Sequence, residues 1–109
     1  MKERRKSQRM PLAVLLEICA QETHRSVGKG FITNLSDSGL ALETMERLSL
    51  GDNFLLRFTL LNGWSFDVLG EVVYARDGVL TKAYGIEFAK INTDQRTKLK
   101  NYVAAYVQH

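Results

Sequence analysis

The chain has 109 residues, 45% of them apolar and 25% charged, with a formal net charge of +3. These values suit one soluble globular domain with a single core. No apolar run approaches the length of a membrane span, and the single cysteine, Cys19, cannot close an internal disulfide. Glu17 interrupts the apolar stretch after the basic opening, and no small-residue cleavage pattern follows. No signal peptide is therefore expected, and the expected compartment is the cytoplasm. On that expectation, the match of Asn34-Leu35-Ser36 to an N-glycosylation acceptor is fortuitous.

Residues 1–10 form a first unit, a basic arm. Lys2, Arg4, Arg5, Lys6 and Arg9 face one acid, Glu3, so the arm carries +4 and the rest of the chain −1. With no apolar periodicity and mutual repulsion, the arm is expected to be mobile until something binds it. The second unit spans 11–109. Pro11 has no N–H for a ladder and marks the first residue of a strand running to Cys19. Its set Leu12, Val14, Leu16 and Ile18 alternates with a mixed second set. Gln21 to Arg25 reads as a polar loop, and Ser26 to Thr33 as a strand in which Gly28 and Gly30 signal a bulge or a close neighbour.

Asn34-Leu35-Ser36-Asp37-Ser38-Gly39 follows as a turn. Asn, Asp and Ser bond their own backbone, and Gly tolerates positive φ. Such a turn directs several short polar groups and a bare backbone segment at one spot. A short strand, Gly39 to Glu43, comes next. Asp52 to Leu61 then alternates Phe54, Leu56, Phe58 and Leu60 against Arg57 and Thr59. Asn62-Gly63 is a two-residue hairpin signal, and Asp77-Gly78 is a second of the same kind. Between them Trp64 to Arg76 reads as a strand with Phe66, Val68, Val72 and Tyr74 inward, and Leu80 to Ala89 as a last strand with Tyr84, Ile86 and Phe88 inward. The period then changes to helical over about 93–107. Asn92 is the N-cap, Asp94 sits in the first turn, and Leu99, Tyr102, Val103, Tyr106 and Val107 form one face. Six or so antiparallel strands and one C-terminal helix predict an all-β barrel or sandwich whose helix covers one opening or one face.

Catalysis finds little support. His24 lies in a loop and His109 is the last residue. Neither has a neighbour at metal-ligand spacing, and Asp37 with Ser36 and Ser38 has no histidine base. There is no P-loop or dinucleotide glycine pattern. The chain is therefore expected not to be an enzyme, and no metal or cofactor is expected. Anion binding fits better. Arg5 and Arg9 are four apart with Arg4 adjacent, and guanidinium groups grip phosphate and guanine edges bidentately. In an extended arm such a pair lies about 13 Å apart on one side, a span suited to one extended ligand or to two stacked ones. Single-stranded nucleic acid is not expected as a partner. Such sites need aromatic platforms on an outer strand face, and only Trp64 reads as an exposed candidate.

Two motifs now stand in order along the chain. Arg5-Lys6-Ser7-Gln8-Arg9 fits RxxxR, and Asn34-Leu35-Ser36-Asp37-Ser38-Gly39 fits [D/N]xSxxG about 25 residues later. With Gly39-Leu40-Ala41-Leu42, Gly51-Asp52 and Gly85-Ile86-Glu87-Phe88, the pattern resembles the PilZ domain, the bacterial receptor module for cyclic di-GMP, from about Glu3 to Tyr106. The resemblance implies a six-stranded antiparallel β-barrel with a C-terminal helix. It also implies a ligand, cyclic di-GMP, held by Arg4, Arg5, Arg9, Asn34, Ser36 and Gly39. Arg5 and Arg9 would take guanine and phosphate groups, Asn34 and Ser36 a guanine edge or nearby backbone, and Gly39 would keep the turn open. Arg4 occupies the position linked in this family to binding an intercalated ligand pair, the stoichiometry favoured here. Asn34 offers one carbonyl acceptor and no charge where Asp would offer two oxygens, which bears on affinity. The implied role is an adaptor whose arm closes on the ligand and signals to a protein partner in motility, polysaccharide synthesis or virulence. The alternative is an interaction module with a vestigial nucleotide site.

Overall fold

A computed structural model describes residues 10–107. The arm residues Arg4, Arg5 and Arg9, and His109, lie outside the described residues. The elements run β1 (Met10–Ala20), β2 (Ser26–Leu35), β3 (Gly39–Thr44), β4 (Asn53–Thr59), β5 (Ser65–Asp77), β6 (Lys82–Lys90) and α1 (Thr93–Val107). All strand pairings are antiparallel, in the closed order β1-β2-β3-β6-β5-β4, with β4 returning to β1. Of the two architectures open to the strand pattern, the barrel is the one formed. The seam that closes it pairs Leu16–Ala20 of β1 with Phe54–Phe58 of β4.

The barrel interior collects the alternating apolar sets. Val14, Leu16 and Ile18 of β1 meet Ile32 and Leu35, Leu40 and Leu42, Leu56 and Phe58, Phe66, Val68 and Val72, and Tyr84, Ile86 and Phe88 in one cluster. Each such side chain, fully buried, contributes about 1.5–3 kcal/mol relative to exposure. Tyr84 also anchors the connection after β3. Its buried hydroxyl accepts the Leu48 N–H at 3.0 Å and donates to the Glu46 carbonyl at 3.2 Å. Phe58 and Phe66, paired across β4 and β5, stack with ring centroids 5.3 Å apart.

Asn92 caps α1 as expected, its Oδ1 accepting the Gln95 N–H at 2.7 Å. Leu99 is buried in the barrel cluster and Tyr102 packs against it. Tyr106 is 44% exposed, so the buried stripe ends short of the last turn. No helix among the described residues is long and apolar enough to cross a membrane. No group of three or more potential metal ligands gathers among them either.

Three sequence expectations need correction. Tyr74 does not face inward: it is 49% exposed, because the β5–β6 register slips between Val72 and Tyr74 and one extra residue reverses the in–out parity. Asn62-Gly63 does not form a two-residue turn. The Gly63 N–H bonds the Leu60 carbonyl, the Leu60 N–H bonds the Trp64 carbonyl, and only Gly63 has positive φ, giving a three-residue loop. Asp77-Gly78 likewise is no tight turn. Residues 78–81 make the connection, closed by the Gly78 N–H on the Thr81 carbonyl and flanked by the Lys82–Asp77 ion pair. The Lys82 ammonium, hydrogen-bonded to Asp77, lowers that carboxyl's pKa. Exposed aromatics also include Phe31 and Tyr74 beside Trp64, whose ring lies 5.9 Å from the Lys98 ammonium.

Candidate functional site

The turn between β2 and β3 is built around Ser36. This residue is buried, and its hydroxyl donates to the Gly39 carbonyl at 3.2 Å while accepting the Ser38 N–H at 3.2 Å. The Ser36 N–H donates to the same Gly39 carbonyl at 2.9 Å, and the Ser38 hydroxyl lies 3.2 Å from that of Ser36. The Ser38 carbonyl in turn accepts the Phe88 N–H at 2.9 Å, tying the turn to β6. Ser36 is thus the internal staple of the motif, with its hydroxyl engaged inside the turn.

Gly39 is needed for a reason other than positive φ, which it does not adopt. A Cβ at this position would sit 2.3 Å from the Ile86 carbonyl oxygen of β6. β3 and β6 approach too closely here for any side chain. The requirement is steric and comes from the neighbouring strand.

Asn34 is set by a register slip. Ile32 pairs with Leu42, but the next β2–β3 pair is Asn34 with Ala41, so Thr33 is the extra residue. The Thr33 hydroxyl bonds the Ala41 carbonyl at 3.4 Å. The slip lets Ile32 and Leu35 both point into the core while Asn34 shares the outer face with Ala41. The same rung continues across the sheet from Ala41 to Gly85 on β6, and from Gly85 to Tyr74 on β5. On the β1 side, Asn34 pairs with Pro11 and Leu35 with Met10.

The result is an outer shelf with an amide at one end and an aromatic ring at the other. Its floor is Ala41, and Gly85 beyond it is buried. The ring of Tyr74 leans over Gly85: a Cβ there would stand 2.1 Å from its Cε2 atom. The part of the shelf between Ala41 and Tyr74, bordered by Ser38, Gly39 and Glu87, is a depression of about 210 Å³. At Ser38 and Glu87 it runs into a larger cleft of about 710 Å³, bounded by the turn, the end of β6 and the start of α1. Asp37 projects into that cleft, where the guanidinium of Arg96 on α1 pairs with it at 3.5 Å.

Of the six residues that the sequence reading selects, the structure brings Asn34, Ser36 and Gly39 to one end of the barrel, beside the start of β1. Arg4, Arg5 and Arg9 fall outside the described residues. The sequence reading did not select Ala41, Gly85 and Tyr74 as shelf residues, or the Asp37–Arg96 pair. Two signals pointed at the shelf. Ile32 and Leu35 are both apolar three apart, and Val72-Val73-Tyr74 runs without alternation. Each betrays an extra residue in a strand. Nothing local in the sequence links Asp37 to Arg96.

No curated protein matches the chain. Among solved structures, the Bacillus subtilis inhibitor of motility MotI/DgrA is similar at TM-score 0.83 and 17% identity, over 98% of this chain and 53% of that one. The PilZ domain of YcgR from Escherichia coli, solved with c-di-GMP, gives 0.78 at 13% identity over 97% of this chain and 93% of that one. The K. pneumonia MrkH–c-di-GMP complex gives 0.78 at 16% identity, over 98% and 54%. The chain spans about half the length of the first and third of these proteins. At such identities the likeness establishes the shared fold. The PilZ domain family model matches residues 3–105. With six antiparallel strands closed into a barrel and a C-terminal helix over it, the chain belongs to the PilZ domain family.

Proposed function

We propose that this chain is a cyclic di-GMP receptor without catalytic activity, acting in the cytoplasm as an adaptor. The observation that carries the reading is the pairing of Met10, the first described residue of β1, with Leu35. Residues 1–9 therefore join the barrel next to the Ser36–Gly39 turn. Covalent geometry holds the Cα of Arg9 about 3.8 Å from that of Met10, and Arg5 within about 18 Å of it. The reading requires both guanidiniums to reach the shelf from this joint. The family membership and the c-di-GMP bound to YcgR and MrkH support the same ligand.

In this reading each part has a physical task. Arg5 and Arg9 supply bidentate donors to phosphate oxygens and guanine edges. Asn34 offers its side-chain amide to a base edge, and the small side chain of Ala41 leaves room for a flat ring that Tyr74 borders. Ser36 and Gly39 keep the turn in shape. Arg4 helps to hold a second, intercalated ligand. Ordering each arm residue costs roughly 1–2 kcal/mol, whereas one bidentate arginine–guanine pair contributes about 1–3 kcal/mol of discrimination. Several contacts must form together, so the arm closes only when ligand fills the shelf. The closed arm presents a new surface to a protein partner.

Calorimetric titration with cyclic di-GMP tests this reading. Saturable binding of two ligands per chain is expected, lost in Arg5→Ala and Arg9→Ala while circular dichroism stays unchanged. Binding retained in both variants would overturn the assigned site, and no binding by the wild-type chain would overturn the receptor reading.

A further inference from the structure

Asp37 poses an electrostatic problem for the proposed receptor. It is the one carboxylate inside the motif turn, its side chain is only 11% exposed, and it lies between Ser36 and Ser38. An anionic ligand seated on the shelf would approach it, since the shelf and the Asp37 cleft meet at Ser38. An uncompensated, nearly buried carboxylate would repel phosphate groups and would also compete for the arm's guanidiniums. Glu87 stands at the same junction but is exposed, so water and salt screen it.

Arg96 answers this. Its Nε lies 3.5 Å from Asp37 Oδ2, it comes from the first turn of α1, and its own side chain is 56% exposed. We propose that Arg96 is a positioning residue for ligand recognition: by neutralising Asp37 it makes the motif turn compatible with a dianionic dinucleotide and leaves the arm arginines available to it. The inference rests on the cyclic di-GMP reading. It assigns to a helix residue, outside both sequence motifs, part of the site's anion selectivity.

A double-mutant cycle tests it, using wild type, Arg96→Gln, Asp37→Asn and the double variant, each titrated with cyclic di-GMP by calorimetry. Arg96→Gln is expected to weaken binding about three- to tenfold at about 0.05 M salt, with the deficit shrinking at about 0.5 M as screening takes over. The double variant is expected to bind within about twofold of Asp37→Asn, because removing the carboxylate removes the need for its counter-ion. A purely structural role for Arg96 would lower the melting temperature without a salt-dependent loss of affinity, and that result overturns the proposal. So does a double variant as weak as Arg96→Gln, which would mean that Arg96 touches the ligand itself. Wild-type binding with Arg96→Gln equal to it sinks this inference alone. No binding by wild type sinks the receptor reading, and this inference with it.

Discussion

Asn34 stands opposite Ala41 and not opposite Leu40, because β2 carries one residue more than β3 between Ile32 and this pair. Thr33 is that residue. Without it, Asn34 would turn into the core and Leu35 out of it. On the far side of the sheet Val73 plays the same part, taking Tyr74 out of the core and laying it beside Gly85. Two extra residues on two strands thus define both ends of one outer shelf.

The staple role of Ser36 separates stability from ligand contact. Ser36→Ala removes the acceptor of the Ser38 N–H and the side-chain donor to the Gly39 carbonyl at a buried position. A loss of about 1–3 kcal/mol is expected in urea denaturation. Unchanged stability would show that the turn does not depend on this hydroxyl.

Gly39→Ala is expected to cost more than its single methyl suggests. The new Cβ would meet the Ile86 carbonyl at 2.3 Å, and that oxygen belongs to backbone that cannot swing aside. Separating β3 from β6 is expected to cost about 1–3 kcal/mol, in line with overpacking elsewhere. The denaturation midpoint reads this directly, and full stability would contradict the close strand approach.

Gly85→Val should behave in the opposite way. Its Cβ would collide with Tyr74 at 2.1 Å, but the ring is half-exposed and free to move outward. The melting temperature is expected to stay within about 5 °C of wild type. Displacing the ring that borders the shelf is expected to cut cyclic di-GMP affinity at least about tenfold, a loss of more than about 1.4 kcal/mol by calorimetry. Unimpaired binding would move the ligand off this shelf.

Cys19 should be chemically silent in the folded state. It is fully buried, and burial raises the pKa of its thiol, so little thiolate forms near neutral pH. Reaction with a disulfide reagent is expected to run at least about a hundredfold slower than for a free thiol until denaturant unfolds the barrel. Rapid labelling of the native protein would show that this strand opens locally.

Strand order of appearance, most inward sets, the helix with its Asn92 cap, and the turn at Ser36 to Gly39 were legible from residue types and periodicity. Those features depend on neighbours a few residues apart, whose preferences for pleat, turn or helix act locally. The family pattern was legible too, because RxxxR and [D/N]xSxxG are short and contiguous. The outward turn of Tyr74, the steric need for Gly39, the shelf shared by Asn34, Ala41, Gly85 and Tyr74, and the pairing of Asp37 with Arg96 were decided only by tertiary structure. Each depends on which residue of a distant strand or helix lies opposite. A strand's alternation has a period of two, so one inserted residue reverses every side chain beyond it, and that choice is made by pairing across the closed barrel.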